Sequence, residues 1–122
     1  MIYTSYFANL RNIPSDIVPI SICGKAPDWY SGLQYKKLAP KWWFFKIWKN
    51  TKDNDYYIKN FYTEVLNKLS AMDVVSDLYC KSAGRDVVLV CYEKPSDFCH
   101  RHLVADWLNF CGFKCEEWGE RK

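Results

Sequence analysis

The sequence predicts a small α/β domain with three layers: an open, mostly parallel sheet of about four strands, with helices on both faces. Short apolar, β-branched segments alternate with longer segments whose apolar residues recur every three or four positions. The segment Val87–Cys91 is a continuous apolar run, which is typical of a strand covered on both faces. Because no repeat or linker divides the 122 residues, we expect one domain spanning residues 1–122.

Four segments are expected to be strands: residues 2–7, 17–23, 87–91 and 113–118. Pro19 favours an edge position or a strand start for the second segment, because proline lacks the N–H donor of the ladder. Gly24 and Pro27 end that segment. Right-handed parallel connections would bring the carboxyl ends of the first three strands to one edge, where open α/β sheets bind their ligands.

Four segments are expected to be helices: residues 40–49, 55–69, 72–82 and 97–112. Pro40 suits the first turn of a helix, where its missing N–H would have no partner. Tyr57, Phe61 and Val65 recur at a spacing of four and so predict one buried face. Gly84 is a natural cap at the end of the third helix.

Composition and charge exclude some classes of protein. The chain has 17 Lys and Arg residues against 14 Asp and Glu residues, and a net charge of +3 does not by itself indicate nucleic-acid binding. No apolar run approaches the roughly 20 residues needed to span a bilayer. The N-terminus lacks the basic and then apolar pattern of a signal peptide. We therefore expect a cytoplasmic protein without a membrane partner.

The six cysteines are expected to be free thiols, because the cytosol is reducing. They occupy positions 23, 80, 91, 99, 111 and 115, and none of them forms the close CxxC pair of a structural zinc site. No metal or cofactor is expected. A metal site formed by Cys91, Cys99 and His100 is the alternative, and it is disfavoured because adjacent residues on a helix point apart.

The candidate site lies between the third strand and the last helix. If Asp97 is the N-cap, Cys99 and His100 occupy the first turn, where free N–H groups and the helix dipole favour a thiolate. Cys99 would then be an accessible nucleophile, with Glu93 as a general base or as the group that orients His100. Arg101 could instead clamp a phosphate or carboxylate, so Arg101→Ala should weaken binding with little loss of stability. The alternative is structural: Cys99 packs under the turn, and Glu93 pairs with Arg101.

Further anion-binding candidates follow the first two strands. Arg11 could reach the same edge as Arg101 and bind an anion, or it could cap a loop. Ser21 and Cys23 could contact a ligand, or they could be ordinary small strand residues. No phosphate-binding glycine loop and no GxSxG motif occurs in the sequence, so the substrate and the reaction remain open.

A second patch, residues 36–52, is rich in lysine and tryptophan and contains no acidic residue. Interleaved lysines and aromatic rings can follow a phosphate backbone and stack on bases. Nucleic acid would contact Lys36, Lys37, Lys41, Trp42, Lys46 and Lys49. The alternative is a core helix, because the pairs Trp43/Ile47 and Phe44/Trp48 have the spacing of neighbours on a buried face.

At the candidate site the sequence resembles a known family. The run CYEKPSDFCHRHLVADWL, residues 91–108, resembles the signature of the domain of unknown function 488 family, in which a strand ending in Cys and Glu precedes a Cys-His-Arg helix start. The segments IYTSYFANLRNIP and SICGKAPDWY resemble that family's opening and second motifs. The resemblance covers residues 2–117. It implies the α/β fold and the location of the site, and it implies no particular reaction.

Two function classes follow. The first is an enzyme that acts on an anionic substrate, a nucleotide or a nucleic-acid-related molecule, through Glu93, Cys99, His100 and Arg101. The second is a non-catalytic module in which the same positive helix start and residues 36–52 bind an anionic ligand or a macromolecule. An enzyme should bring these groups together in a water-accessible cleft, whereas a binding module needs only a flat basic and aromatic face.

Overall fold

The structure is a computed structural model that describes residues 1–93 and 97–119. Its strands are β1 (Ile2–Tyr6), β2 (Val18–Ser21), β3 (Leu33–Gln34), β4 (Val87–Cys91) and β5 (Cys115–Glu117). Its α-helices are α1 (Trp42–Thr51), α2 (Asn54–Glu64), α3 (Ala71–Lys81) and α4 (His100–Phe110), and 3-10 helices span Phe7–Asn12, Lys36–Leu38 and Leu66–Lys68. Among these residues, every helix is too short or too polar to cross a membrane.

The strands form one parallel sheet in the order β3-β2-β4-β1-β5. This confirms the α/β class, with five strands in the described residues instead of about four. Pro19 lies in an internal strand, not in an edge strand. The N–H of Val18 bonds toward β4, so the ring nitrogen of Pro19 faces the β3 side. There β3 pairs only with Ile20 and Ser21, so the missing donor of Pro19 costs no ladder bond.

Both faces of the sheet are covered, but by different structures. The connections β3 to β4 and β4 to β5 run in the same direction across the sheet, so right-handed crossovers put α1 to α4 on one face. Buried residues of all four helices accordingly pack with Ile20, Val87 and Leu89 of the sheet. The connection β1 to β2 runs the other way, and its 3-10 helix covers the opposite face over Val88 and Val90.

Helix α1 buries less than its sequence pattern predicts. Phe44 is fully buried, but Trp43 and Ile47 are 48% and 43% exposed. The predicted buried pair Trp43/Ile47 is therefore wrong. Because α1 contacts the domain along the side that carries Phe44 and Trp48, the rings on its other side remain outside the core.

Helix α4 begins later than expected. Its N-cap is Cys99, whose backbone is extended at φ −154° and ψ 143°, and the helix starts at His100. The prediction that Asp97 caps the helix is wrong. Phe98 and Cys99 consequently belong to the segment that leads from β4 into the helix, and the helical rule for side-chain directions does not apply to Cys99.

Candidate functional site

The carboxyl ends of β1, β2 and β4 lie at one edge of the sheet, as the sequence predicts. A cavity of about 620 Å³ opens there. Three groups of side chains make up most of its described lining. The basic rim consists of Lys25, Lys49 and Lys52. The aromatic wall consists of Trp42, Phe45, Trp48, Tyr57 and Phe98. The Cys–His cluster consists of Cys91, Cys99 and His100.

The Cys–His cluster brings the end of β4 against the start of α4. Its two sulfur atoms and a ring nitrogen of His100 all lie within 4.8 Å of one another. Cys91 and Cys99 are joined by a disulfide, so the expectation of six free thiols is wrong for this pair. The physical reason is that Cys99 is only 8 residues from Cys91 in sequence, and the N-cap of α4 lies beside the end of β4.

A backbone carbonyl orients His100. The ring Nε2 lies 2.7 Å from the carbonyl oxygen of Ile22, which only accepts hydrogen bonds, so Nε2 carries the proton. Nδ1 is left with a lone pair and lies 4.0 Å from Sγ of Cys99. Burial lowers the pKa of His100 to about 4, so the ring is neutral near pH 7. Glu93 does not orient His100, contrary to one reading of the sequence.

Cys99 is not the accessible thiol that the sequence predicts. The residue is buried, with 5% of its surface exposed, although it lines the cavity. Among the described free cysteines, Cys80 and Cys111 are the exposed ones. Any reaction of Cys99 must therefore take place with a molecule that has entered the cavity.

Arg101 has a structural role and does not line the cavity. Its side chain is fully buried, and its Nε and Nη2 donate to the two carboxylate oxygens of Glu117 at 3.0 and 2.8 Å. Its Nη1 donates to the carbonyl oxygen of Glu93 at 2.5 Å and to Sγ of Cys91 at 3.2 Å. The guanidinium is thus held by Glu117 and not by the Glu93 carboxylate. Glu117 ends the closing strand, and this position at the same sheet edge is the signal that could have identified it.

The other residues that were predicted to bind an anion do not come together in one group at the cavity. Arg11 is exposed at the end of the 3-10 helix after β1 and does not line the cavity, so Arg11 and Arg101 do not converge there. Ser21 is buried, and its hydroxyl accepts a hydrogen bond from the N–H of Cys23 at 3.3 Å. Cys23 lines the cavity, where burial raises the pKa of its thiol to about 12. Glu93 is exposed at the cavity mouth.

The aromatic wall and the basic rim include residues that sequence reasoning missed. Phe98 packs against Trp48 and Tyr57, with ring centroids 5.5 and 5.0 Å apart. Lys52 lies over the ring of Trp48, with its Nζ 4.4 Å from the centroid. Lys25 follows the end of β2, and this position could have identified it. Of the lysines predicted to bind nucleic acid, Lys49 lines the cavity. The others are exposed and are not among its lining residues: Lys36, Lys37, Lys41 and Lys46.

Alkylation should distinguish the buried from the exposed free thiols. We expect brief iodoacetamide treatment near pH 7.5 to modify Cys80 and Cys111 first, because both are exposed. Cys23 and Cys115 should react slowly, since burial raises the pKa of each thiol to about 12 and the thiolate is the nucleophile. Peptide mapping by mass spectrometry gives the order. Modification of Cys23 as fast as that of Cys80 would contradict the burial.

Comparison with known proteins agrees with the resemblance at this site. A family model described as the active DUF488-N3 subclade matches residues 8–112, which include the second motif and the whole 91–108 signature. No curated protein and no solved structure matches the chain.

Proposed function

The chain belongs to the domain of unknown function 488 (DUF488) family, and we propose that it is an enzyme acting on an anionic, nucleotide-related substrate. The cavity carries this proposal, because it joins the Cys–His cluster, the aromatic wall and the basic rim around one space of about 620 Å³. That volume is within the range of small-molecule sites, about 300–1,000 Å³. The description of the matched subclade as active supports an enzyme over a passive module.

The aromatic wall suits a planar ring such as a nucleobase. Trp42 is 66% exposed and lies next to Phe45, with their ring centroids 5.9 Å apart. An exposed indole at the edge of a cavity offers a free π-face. Stacking of a base on such a ring contributes about 1–3 kcal/mol.

The basic rim suits the phosphate of the same ligand. Among the described residues that line the cavity, Lys25, Lys49 and Lys52 provide three ammonium groups, and Glu93 provides the one carboxylate. The excess of positive charge favours an anion over a neutral ligand. A charge-assisted hydrogen bond to phosphate contributes about 1.5–3 kcal/mol, which is about tenfold to a hundredfold in affinity.

The Cys–His cluster supplies the reactive groups. The neutral His100 ring keeps its Nδ1 lone pair available as a hydrogen-bond acceptor for a thiol or a substrate, since Nε2 is bound to the carbonyl of Ile22. The lowered pKa of about 4 makes this ring a weak base, so its role is to orient the reacting group. Reduced Cys91 would have the guanidinium of Arg101 3.2 Å from its sulfur, and a cation there favours a thiolate. In the disulfide neither sulfur is a nucleophile, so we expect activity only in the reduced protein.

Calorimetric titration of the reduced protein tests the binding half of this proposal. We expect at least one of the four ribonucleoside monophosphates to bind, and Lys49→Ala to weaken that binding about tenfold to a hundredfold. Lys46→Ala is the matched control, because Lys46 is exposed on the same helix and does not line the cavity. Equal effects of the two variants, or no binding at millimolar nucleotide, would contradict the proposal.

Product analysis tests the catalytic half. The bound nucleotide should be converted by the reduced protein and not by Cys91→Ser or Cys99→Ser, as measured by chromatography and mass spectrometry after incubation. Binding without conversion would indicate a binding module and contradict the proposed enzymatic activity.

A second candidate function is nucleic-acid binding along the outside of α1. The exposed Trp43 and Ile47 favour it, together with the exposed lysines of residues 36–52. Fluorescence anisotropy with a labelled single-stranded oligonucleotide separates the two functions, since Trp43 does not line the cavity. Salt-sensitive binding that is lost in Trp43→Ala, together with no nucleotide conversion, would favour the module.

A further inference from the structure

The Cys–His cluster has the donor atoms of a metal site. Two cysteine sulfurs and one imidazole nitrogen lie within 4.8 Å of one another. Zinc binds such ligands at about 2.3 Å for sulfur and 2.0–2.1 Å for nitrogen, which puts tetrahedral ligand atoms about 3.4–3.8 Å apart. Sγ of Cys99 and Nδ1 of His100, 4.0 Å apart, are already close to that separation.

Neighbouring groups hold these donor atoms in a state that can bind a metal ion. The hydrogen bond from Nε2 of His100 to the Ile22 carbonyl leaves the Nδ1 lone pair free, which is the usual arrangement behind a metal-bound histidine. Nη1 of Arg101 donates to Sγ of Cys91 and would stabilise a bound thiolate. Glu117 pairs with this guanidinium, so its charge is compensated.

The placement of the two cysteines also suits a bridging ion. Their Cα atoms lie 7.5 Å apart, beyond the roughly 4.4–6.8 Å that disulfides usually span. All three donor residues line the cavity, so a fourth coordination position would face the space that we assign to the substrate. Three protein ligands and one open position are the pattern of catalytic zinc, whereas structural zinc is closed by four protein ligands.

We propose that the reduced chain binds one zinc ion through Sγ of Cys91, Sγ of Cys99 and Nδ1 of His100, with the fourth position open to the cavity. The two cysteine thiolates neutralise the charge of Zn²⁺, and zinc is an ion that favours thiolate and imidazole ligands. A dithiol must first reduce the disulfide: the Sγ–Sγ bond breaks, each sulfur gains one electron and one proton, and the dithiol becomes a disulfide. Zinc then displaces the two protons. The oxidised chain therefore cannot bind the ion through these atoms.

Cobalt titration of the reduced, metal-free chain under anaerobic conditions tests the site. Thiolate-to-cobalt charge-transfer bands and the visible bands of tetrahedral cobalt should appear together and saturate at one ion per chain. Zinc should abolish both sets of bands. The oxidised chain should show neither. Saturation without charge-transfer bands, or equal binding by the oxidised chain, would overturn the proposal.

Two variants and two controls assign the ligands. Cys99→Ser and His100→Gln should each weaken cobalt binding more than about a hundredfold, beyond the usual effect of losing a neighbouring group that only supports a ligand. Cys99→Ser should fold even if His100→Gln does not, because serine is a preferred N-cap and Cys99 is the N-cap of α4. Cys23→Ser, in the same cavity, and Cys80→Ser, on the surface, should keep the bands. Bands that survive in Cys99→Ser would contradict the site.

Metal binding and the proposed function can fail separately. A catalytic role for the zinc rests on the proposed function and would replace the roles given there to Cys91 and His100, because the ion uses the same atoms. The cobalt titration measures binding alone. Cobalt binding without nucleotide binding would support the metal site and contradict the proposed substrate. Nucleotide conversion by a reduced chain that binds no cobalt would support the proposed enzyme and contradict the metal site.

Discussion

Arg101→Ala is expected to lower the free energy of unfolding by about 3–5 kcal/mol, because it leaves a buried carboxylate without its cation. The guanidinium is fully buried, and the side chain of Glu117 is 8% exposed. The two ions are joined by two parallel hydrogen bonds of 3.0 and 2.8 Å. Urea unfolding of the wild type and the variant measures the difference. The sequence-based expectation of a small loss assumed that Asp97 caps the helix and that Arg101 faces a ligand, and the structure has Cys99 as the N-cap and Arg101 buried.

Three further variants sharpen this test. Glu117→Gln should also destabilise the chain, since it leaves the guanidinium buried without an anion. Replacing both partners with apolar residues, as in Arg101→Met with Glu117→Leu, should recover part of the loss. Lys68→Ala is the matched control: it breaks an exposed i,i+4 ion pair with Glu64 at 3.3 Å and should cost at most about 0.5 kcal/mol. A similar small cost for Arg101→Ala would contradict a structural role.

Tyr57→Ala is expected to cost about 3–5 kcal/mol of stability, because truncating a large buried ring leaves a void. Tyr57 is 2% exposed. Its ring centroid lies 5.4 Å from that of Phe44 and 5.0 Å from that of Phe98. It also packs on Trp48 and Phe61, at 5.5 and 5.9 Å. One ring thus holds α1, α2 and the segment before α4 together.

Tyr57→Phe separates packing from the hydroxyl group. It keeps the ring and should cost about 1 kcal/mol or less. Because Tyr57 belongs to the aromatic wall, nucleotide affinity should fall in Tyr57→Ala and persist in Tyr57→Phe. Urea unfolding and calorimetric titration of both variants check the two effects. Equal destabilisation by the two substitutions would show that the hydroxyl, and not the ring, carries the stability.

The fold class and the location of the site could be predicted because they depend on local patterns and on the parallel direction of the strands. The apolar run at Val87–Cys91 marks a buried strand wherever it lies in the chain. Because the strands are parallel, their carboxyl ends lie at one edge, and right-handed crossovers decide which face the helices cover. Cys91 ends the third expected strand, and Cys99 and His100 follow it closely, so their place at this edge follows from the sequence alone.

Tertiary packing decided the partner of each side chain. Arg101 bonds to Glu117, 16 residues away, and His100 to Ile22, 78 residues away. No local pattern encodes such pairs, because they depend on how β5 and β2 lie beside β1 and β4. The exposure of Trp43 was decided in the same way, since periodicity identifies an apolar face but not the surface that covers it. Local chain geometry determined the elements and their common edge, and only long-range packing determined which groups at that edge are buried, paired or open to a ligand.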